Sequence, residues 1–248
     1  MKKNQTGNIL KKDCEMKLLE NKWALVTGSS RGIGQQIALG LAQRKCNIIV
    51  HGRTGAHTAQ TIALLNASGV ETRVVTGDLE SPQGVDAIIR GVKVMGISLD
   101  ILYNNAGFQN QWKPIWEITQ AEWLQVFQIN FFSMVQLCTA FAPGMKQRGF
   151  GRIINLTSGI KDIPQLAPYS VSKAAVDKYS RDLAAELLGS NVLVNYLDPG
   201  WLKTDMGGPN ADHPVESVLP GALVPALLED NGPTGRFYAA QDYSCLEY

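Results

Sequence analysis

The chain has 248 residues, and its 23 basic and 22 acidic side chains leave a net charge of +1. That balance excludes the basic footprint of a nucleic-acid binder, and a hydrophobic fraction of 45% can build a core without disulfide or metal support. Four cysteines (Cys14, Cys46, Cys138, Cys245) and three histidines (His51, His57, His213) stand at no metal or redox spacing, which reads as free thiols in a reducing, cytoplasmic setting and no metal site.

The N-terminal stretch carries Lys2, Lys3, Lys11 and Lys12 without an apolar segment, so it is no secretory signal. Residues 1–18 are expected to form a disordered extension ahead of one domain over 19–248. No apolar run reaches the roughly 18 residues of a membrane span, so no membrane partner is expected. A short apolar strand at Lys22–Thr27 ends at glycine and runs into a helix over Ile33–Arg44, marked by Ile33, Ile37, Ala38 and Leu41. A strand over Cys46–Val50, a helix over Thr58–Ala67 and a strand over Glu71–Thr76 follow. Next come a helix over 82–95, a strand over Leu99–Tyr103 and a long helical region over 119–148. A strand over Arg152–Leu156, a helix over 169–188 and a strand over Val192–Leu197 complete the alternation. Strands separated by helices, and apolar nearly throughout, predict an α/β fold: a doubly wound parallel sheet with helices on both faces. Ligands of such a sheet bind beyond the carboxyl ends of its strands.

The residues at those ends carry chemistry. Thr27-Gly28-Ser29-Ser30-Arg31-Gly32-Ile33-Gly34 joins the first strand to the first helix. Glycines let the backbone turn beside a pyrophosphate, and a helix N-terminus attracts the anion; a plain tight turn would use the same residues. The second strand ends His51-Gly52-Arg53-Thr54 with no carboxylate to bind ribose hydroxyls. Arg53, with Arg31 in the glycine loop, offers guanidinium groups to a 2′-phosphate instead, which favours NADP(H) over NAD(H). The alternative for either arginine is a solvated loop charge. Asp78, after the third strand, is a candidate partner for the adenine amine. Asn105, Ala106 and Gly107, after the fourth, let the chain pass beside a cofactor, although turn formation alone accounts for them too.

Tyr169 and Lys173 lie one helical turn apart on one face. A phenol titrates near pH 10, and a neighbouring ammonium is expected to lower that value and make the group a usable general acid. Ser158 ends the preceding strand, where its hydroxyl can bond a substrate oxygen. Asn130 interrupts the apolar series Val126, Phe127, Ile129, Phe131 and Phe132; a buried amide there needs partners, and a helix distorted around it has room for a water. Pro199-Gly200 after the sixth strand leads to Thr204, placed to meet a nicotinamide. Phe108, Trp112, Tyr196 and Trp201 are each either pocket wall or core.

In this order and spacing, the glycine loop, Asn104-Asn105-Ala106-Gly107, Asn130, Ser158, Tyr169 with Lys173, and Pro199-Gly200 resemble the short-chain dehydrogenase/reductase family over nearly all of residues 20–240. After Thr204 the chain is similar to the family's carbonyl-reductase-like members. The Ser158–Tyr169 interval is short, and little chain remains for a large lid. The resemblance implies a Rossmann-type fold and a tetrad of Asn130, Ser158, Tyr169 and Lys173. It also implies NADP(H)-dependent hydride transfer to a small ketone or aldehyde, with Tyr169 as acid, Ser158 polarising the oxygen, Lys173 on the ribose and Asn130 holding a relay water. Alternatives are a secondary-alcohol dehydrogenase, a 3-oxoacyl reductase, and an idle NADP sensor on the same fold. A homo-oligomer is left open.

Overall fold

The computed structural model describes residues 18–245. The expectation for residues 1–17 lies outside the described residues. Seven strands, β1 (Trp23–Val26), β2 (Asn47–Gly52), β3 (Thr72–Thr76), β4 (Ile101–Asn104), β5 (Gly151–Leu156), β6 (Val192–Asp198) and β7 (Phe237–Ala239), pair in parallel in the order β3-β2-β1-β4-β5-β6-β7. The helices are α1 (Gly32–Gln43), α2 (Gly55–Leu65), α3 (Pro82–Val94), α4 (Gln120–Phe127), α5 (Ser133–Arg148), α6 (Ala167–Glu186) and the short α7 (Val224–Leu227).

Side-chain alternation along each strand builds two cores. Ala24, Val26, Ile48, Val50, Ile101 and Tyr103 face the cluster that includes Ile37 and Leu41 of α1, Leu65 of α2 and the apolar stretch around α7. Leu25, Ile49, Leu102, Ile153 and Val194 face α3, α5 and α6 through Val85, Ile88, Leu137, Cys138 and Val176. Both faces are covered, which is why the strands read as continuous apolar runs. Local sequence sets several helix starts. Ser81 caps α3 by accepting from the Gly84 N–H at 3.1 Å, with Pro82 at the first position. Thr119 and Glu122 form a reciprocal capping box on α4.

The doubly wound sheet matches the expectation, with three differences. The edge strand β7 was not foreseen; three residues are too few for alternation to signal, and its pairing with Tyr196–Asp198 is a long-range event. The helical region over 119–148 runs on as one helix but is wound at Gln128–Phe132 into a π-turn, the distortion that Asn130 suggested, in place of a regular α-helix. Third, Gln120–Arg148 is long and apolar enough to cross a membrane by composition, so the expectation of no such run does not hold. The packing of Met134, Leu137, Cys138 and Met145 into the sheet explains its apolarity as that of a core helix.

From β1 the chain winds outward through β2 and β3, then returns to start β4 on the other side of β1. Adjacent loops leave the sheet in opposite directions there and open a crevice between the ends of β1 and β4.

Candidate active site

The crevice is lined by turns that interlock. Thr27, at the end of β1, donates its hydroxyl to the Tyr103 carbonyl at 3.2 Å and accepts from the Asn105 and Ala106 N–H groups at 3.0 and 3.1 Å. The Asn105 amide donates to the Thr27 carbonyl at 2.8 Å. Gly28 and Gly32 both take positive φ, +63° and +61°, a conformation glycine adopts without strain. A Cβ on Gly34 would stand 2.4 Å from Asn105 Nδ2 and 2.5 Å from the Gly28 carbonyl oxygen, so helix α1 seats on the turn only with glycine there. Gly34→Ala is expected to lower stability by about 2–3 kcal/mol, measured as a fall in the urea midpoint. An unchanged midpoint would show that the turn yields freely.

Around this turn Ser30 and Ile33 are half-buried, and Arg31 and Arg53 are exposed. Asp78 is exposed and accepts the Glu80 N–H at 3.0 Å. Arg31 is not simply directed at the crevice: its Nε pairs with Asp205 Oδ2 at 2.8 Å. That contact and the approach of the Thr204 methyl to Gly32, 3.6 Å from where a Cβ would stand, dock the segment after β6 onto the glycine loop. Thr204 Oγ1 also accepts the Gly207 N–H at 3.0 Å, which closes a tight turn. Sequence reasoning missed Asp205, since nothing local marks it as Arg31's partner.

The four residues of the expected tetrad come from three parts of the chain. Asn130 is buried in the π-turn; its Oδ1 accepts the Phe108 N–H at 2.7 Å, and its Nδ2 donates to the Phe108 carbonyl at 2.9 Å and to Ser172 Oγ at 3.0 Å. Ser172 in turn donates to the Tyr169 carbonyl at 2.7 Å. The amide therefore ties the chain after Gly107 to the first turn of α6. Lys173 Nζ donates to the Leu156 carbonyl at 2.8 Å and lies 5.7 Å from the centroid of the Tyr169 ring. A methyl placed on Gly107 would be 3.6 Å from Lys173 Nζ, 3.7 Å from Asn130 Oδ1 and 3.9 Å from Met206 Cε, so all three groups surround that glycine. Ser158 accepts the Ile160 N–H at 3.2 Å and stands beside the Tyr169 phenol. Pro199 is buried, and Gly200 turns the chain at φ +85°.

The electrostatics correct one expectation. The Tyr169 phenol is shifted up from its ordinary value, not down: burial disfavours the phenolate, Ser158 opposes that, and the Asp198 carboxylate adds to it. Lys173, with its Nζ 5.7 Å from the ring centroid, does not reverse the shift. Burial lowers its ammonium to about 8, against the pull of Asp177 and Asp198. Asp198, held by the Gly200 N–H at 3.0 Å, was not singled out as a site residue; its position as the last residue of β6 was the available signal. Of the four suggested wall aromatics, Tyr196 is core, buried in β6 against Phe237 at 5.8 Å between ring centroids. Phe108 is half-buried, while Trp112 and Trp201 are exposed.

The family model for short chain dehydrogenases matches residues 22–214. The chain belongs to the short-chain dehydrogenase/reductase family and is an oxidoreductase. An uncharacterized oxidoreductase of Bacillus subtilis is 36% identical over 184 residues, covering 73% of this chain and 69% of the relative. Among solved structures, a 3-oxoacyl (acyl-carrier-protein) reductase from Agrobacterium tumefaciens with NADP bound superposes with a TM-score of 0.79 at 27% identity, covering 91% of this chain and 95% of that one. A 3-oxoacyl-[acyl-carrier protein] reductase from Brucella melitensis with bound NAD gives 0.81 at 25% identity, covering 91% of each.

Proposed function

We propose that the chain is a cytoplasmic, NADP(H)-dependent reductase that converts a ketone or aldehyde to an alcohol. The observation that carries this reading is the placement of the Tyr169 phenol beside Ser158, with Lys173 Nζ 5.7 Å from the centroid of its ring. A group that keeps its proton at neutral pH is suited to protonating a carbonyl oxygen as it gains negative charge.

A dinucleotide fits the groups present. Helix α1 opens with no side-chain cap and no acidic residue in its first turn, so its N–H groups and positive end suit a phosphate. Gly28, Gly32 and Gly34 keep the approach bare of side chains. We assign Ser30, Arg31 and Ile33 to the same cradle, Asp78 to the adenine, and Asn105, Ala106, Gly107, Pro199, Gly200 and Thr204 to the path toward the nicotinamide. When bound, the nicotinamide supplies a hydride. The chain's own residues do the rest: Ser158 donates a hydrogen bond to the carbonyl oxygen, Tyr169 delivers the proton, and Lys173 holds the ribose hydroxyls with its buried ammonium. Asn130, through Phe108 and Ser172, keeps the two sides of the site in register.

Arg53 supports the cofactor choice, as it follows β2 where a carboxylate would exclude a 2′-phosphate. Arg53→Asp is expected to raise KM for NADPH about 10–100-fold and leave that for NADH within about threefold. Wild-type kcat/KM equal or better with NADH would sink the NADP(H) assignment. Loss of NADPH absorbance across a panel of ketones and aldehydes tests the activity itself. A 3-oxoacyl thioester belongs in that panel, because the Agrobacterium reductase to which the chain is similar supports that second reading. Turnover of no carbonyl, with NADPH bound, would favour the idle sensor.

A further inference from the structure

The tetrad does not use His51, the last but one residue of β2, although this imidazole is only 3% exposed and both of its ring nitrogens are engaged. Nδ1 lies 2.9 Å from the Gly28 backbone nitrogen, and Nε2 lies 3.1 Å from the Gly77 carbonyl oxygen. A backbone N–H can only donate, so Nδ1 must carry a lone pair and the proton must sit on Nε2, donating to Gly77. The backbone joins in: His51 N–H donates to Ser29 Oγ at 2.9 Å, and the His51 carbonyl accepts the Ser29 N–H at 3.1 Å. Ser29 is in turn anchored by Thr61 of α2, whose hydroxyl donates to the Ser29 carbonyl at 2.8 Å. One neutral ring thus joins the first glycine of the loop to the turn after β3.

We propose that His51 is a positioning residue for the nucleotide: its neutral imidazole sets where Gly28 stands in the glycine loop, and protonation of the ring loosens nucleotide binding in acid. This rests on the reading of that loop as the phosphate cradle. A second ring proton would sit on Nδ1 and face the Gly28 N–H, so the contact holding the left-handed turn at Gly28 would become a repulsion between two donors.

The surroundings keep the ring neutral through the physiological range. Burial lowers the His51 pKa below its ordinary 6.5, opposed by the Gly77 carbonyl and, more weakly, by Asp78 after β3. The other charged or titratable groups nearby are occupied or outward. His57 of α2 is engaged through Nδ1 with Thr54 Oγ1 at 2.9 Å, Arg31 before α1 pairs with Asp205, Arg53 is exposed beyond the strand end, and the neighbouring strand β1 has no titratable side chain. Because the folded value is depressed, the contact is complete above pH 6.5 and is lost as pH falls below that point through the folded value.

The test titrates the full chain with NADPH and, separately, NADH, followed by nucleotide fluorescence between pH 7.5 and 5. NADH is needed because the 2′-phosphate of NADPH titrates in this range itself. Wild-type Kd for NADH is expected to rise as the pH falls toward 5, toward the roughly fivefold loss that one hydrogen bond to a buried partner is worth. His51→Asn keeps an acceptor at the Nδ1 position but has nothing to titrate. Its Kd should stay within about threefold of wild type at pH 7.5 and remain flat to pH 5. His51→Phe keeps the ring and loses the acceptor, so its Kd should be about tenfold weaker throughout, with kcat at saturating nucleotide unchanged. A flat wild-type profile, or an Asn variant with the same acid limb as wild type, overturns the inference alone, even if the Phe variant fails to fold. Wild-type protein that binds neither nucleotide at pH 7.5 overturns the cradle reading and the inference together.

Discussion

Tyr169→Phe is expected to lower kcat for carbonyl reduction by about a thousandfold while leaving NADPH binding within about twofold of wild type. The substitution removes one hydroxyl beside Ser158 and keeps the ring that packs near Lys173, so the proton donor goes and the shape of the site stays. Single-turnover rates, with nucleotide affinity measured separately, check it; a variant retaining a tenth of wild-type kcat would falsify the assignment of Tyr169 as the acid. The pH dependence gives a second reading of the same group. Since burial holds the phenol above its ordinary value, reduction should not lose its acid at the pH where a free tyrosine would. Its fall should instead begin as Lys173 loses its proton near pH 8. Alcohol oxidation, which needs the phenolate as base, should still be rising beyond pH 10.

Lys173→Met should raise stability and abolish most activity at once. Lowering an ammonium from 10.5 to about 8 by burial corresponds to about 3 kcal/mol against the folded state at neutral pH. Methionine removes that cost and leaves the Leu156 carbonyl without its 2.8 Å donor, a loss of about 1–2 kcal/mol. The net gain is about 1–2 kcal/mol, or about 3–6 °C in Tm for a chain of this size. Between pH 8 and 10.5 the unfolded chain binds the extra proton, so wild-type stability rises with pH across that window and the gap to the variant closes. Reductase activity should fall more than about a hundredfold. Calorimetry at pH 7 and pH 10 decides the stability claim, and a variant melting below wild type at pH 7 would mean that packing around Leu156 outweighs desolvation.

Such a trade-off explains why the site was only partly readable beforehand. Tyr169 and Lys173 were found because a spacing of four on a helix is a local property. That both would be desolvated is not local. Leu156 ends β5, Asp198 ends the neighbouring strand β6, and Asp177 lies farther along α6. The sign of the Tyr169 shift depends on that burial, and a spacing argument that weighed only the nearby ammonium reached the opposite sign. Asn130 shows the other case. A polar residue inside an apolar helical run signalled both burial and distortion, and the π-turn is there, yet its partners, Phe108 and Ser172, come from different elements.

By itself, the sequence determined the alternation of strands and helices, the two-sided burial of the sheet, the glycine turn before α1 and the residue types at the strand ends. Each of these follows from interactions within a few residues or from simple periodicity. Only the tertiary structure decided which strand ends converge, that Arg31 meets Asp205, that β7 adds an edge to the sheet, and that His51 props the glycine loop from the neighbouring strand. Those are contacts between positions far apart in the chain. Their energies depend on burial and on hydrogen-bond partners that exist only once the sheet has assembled.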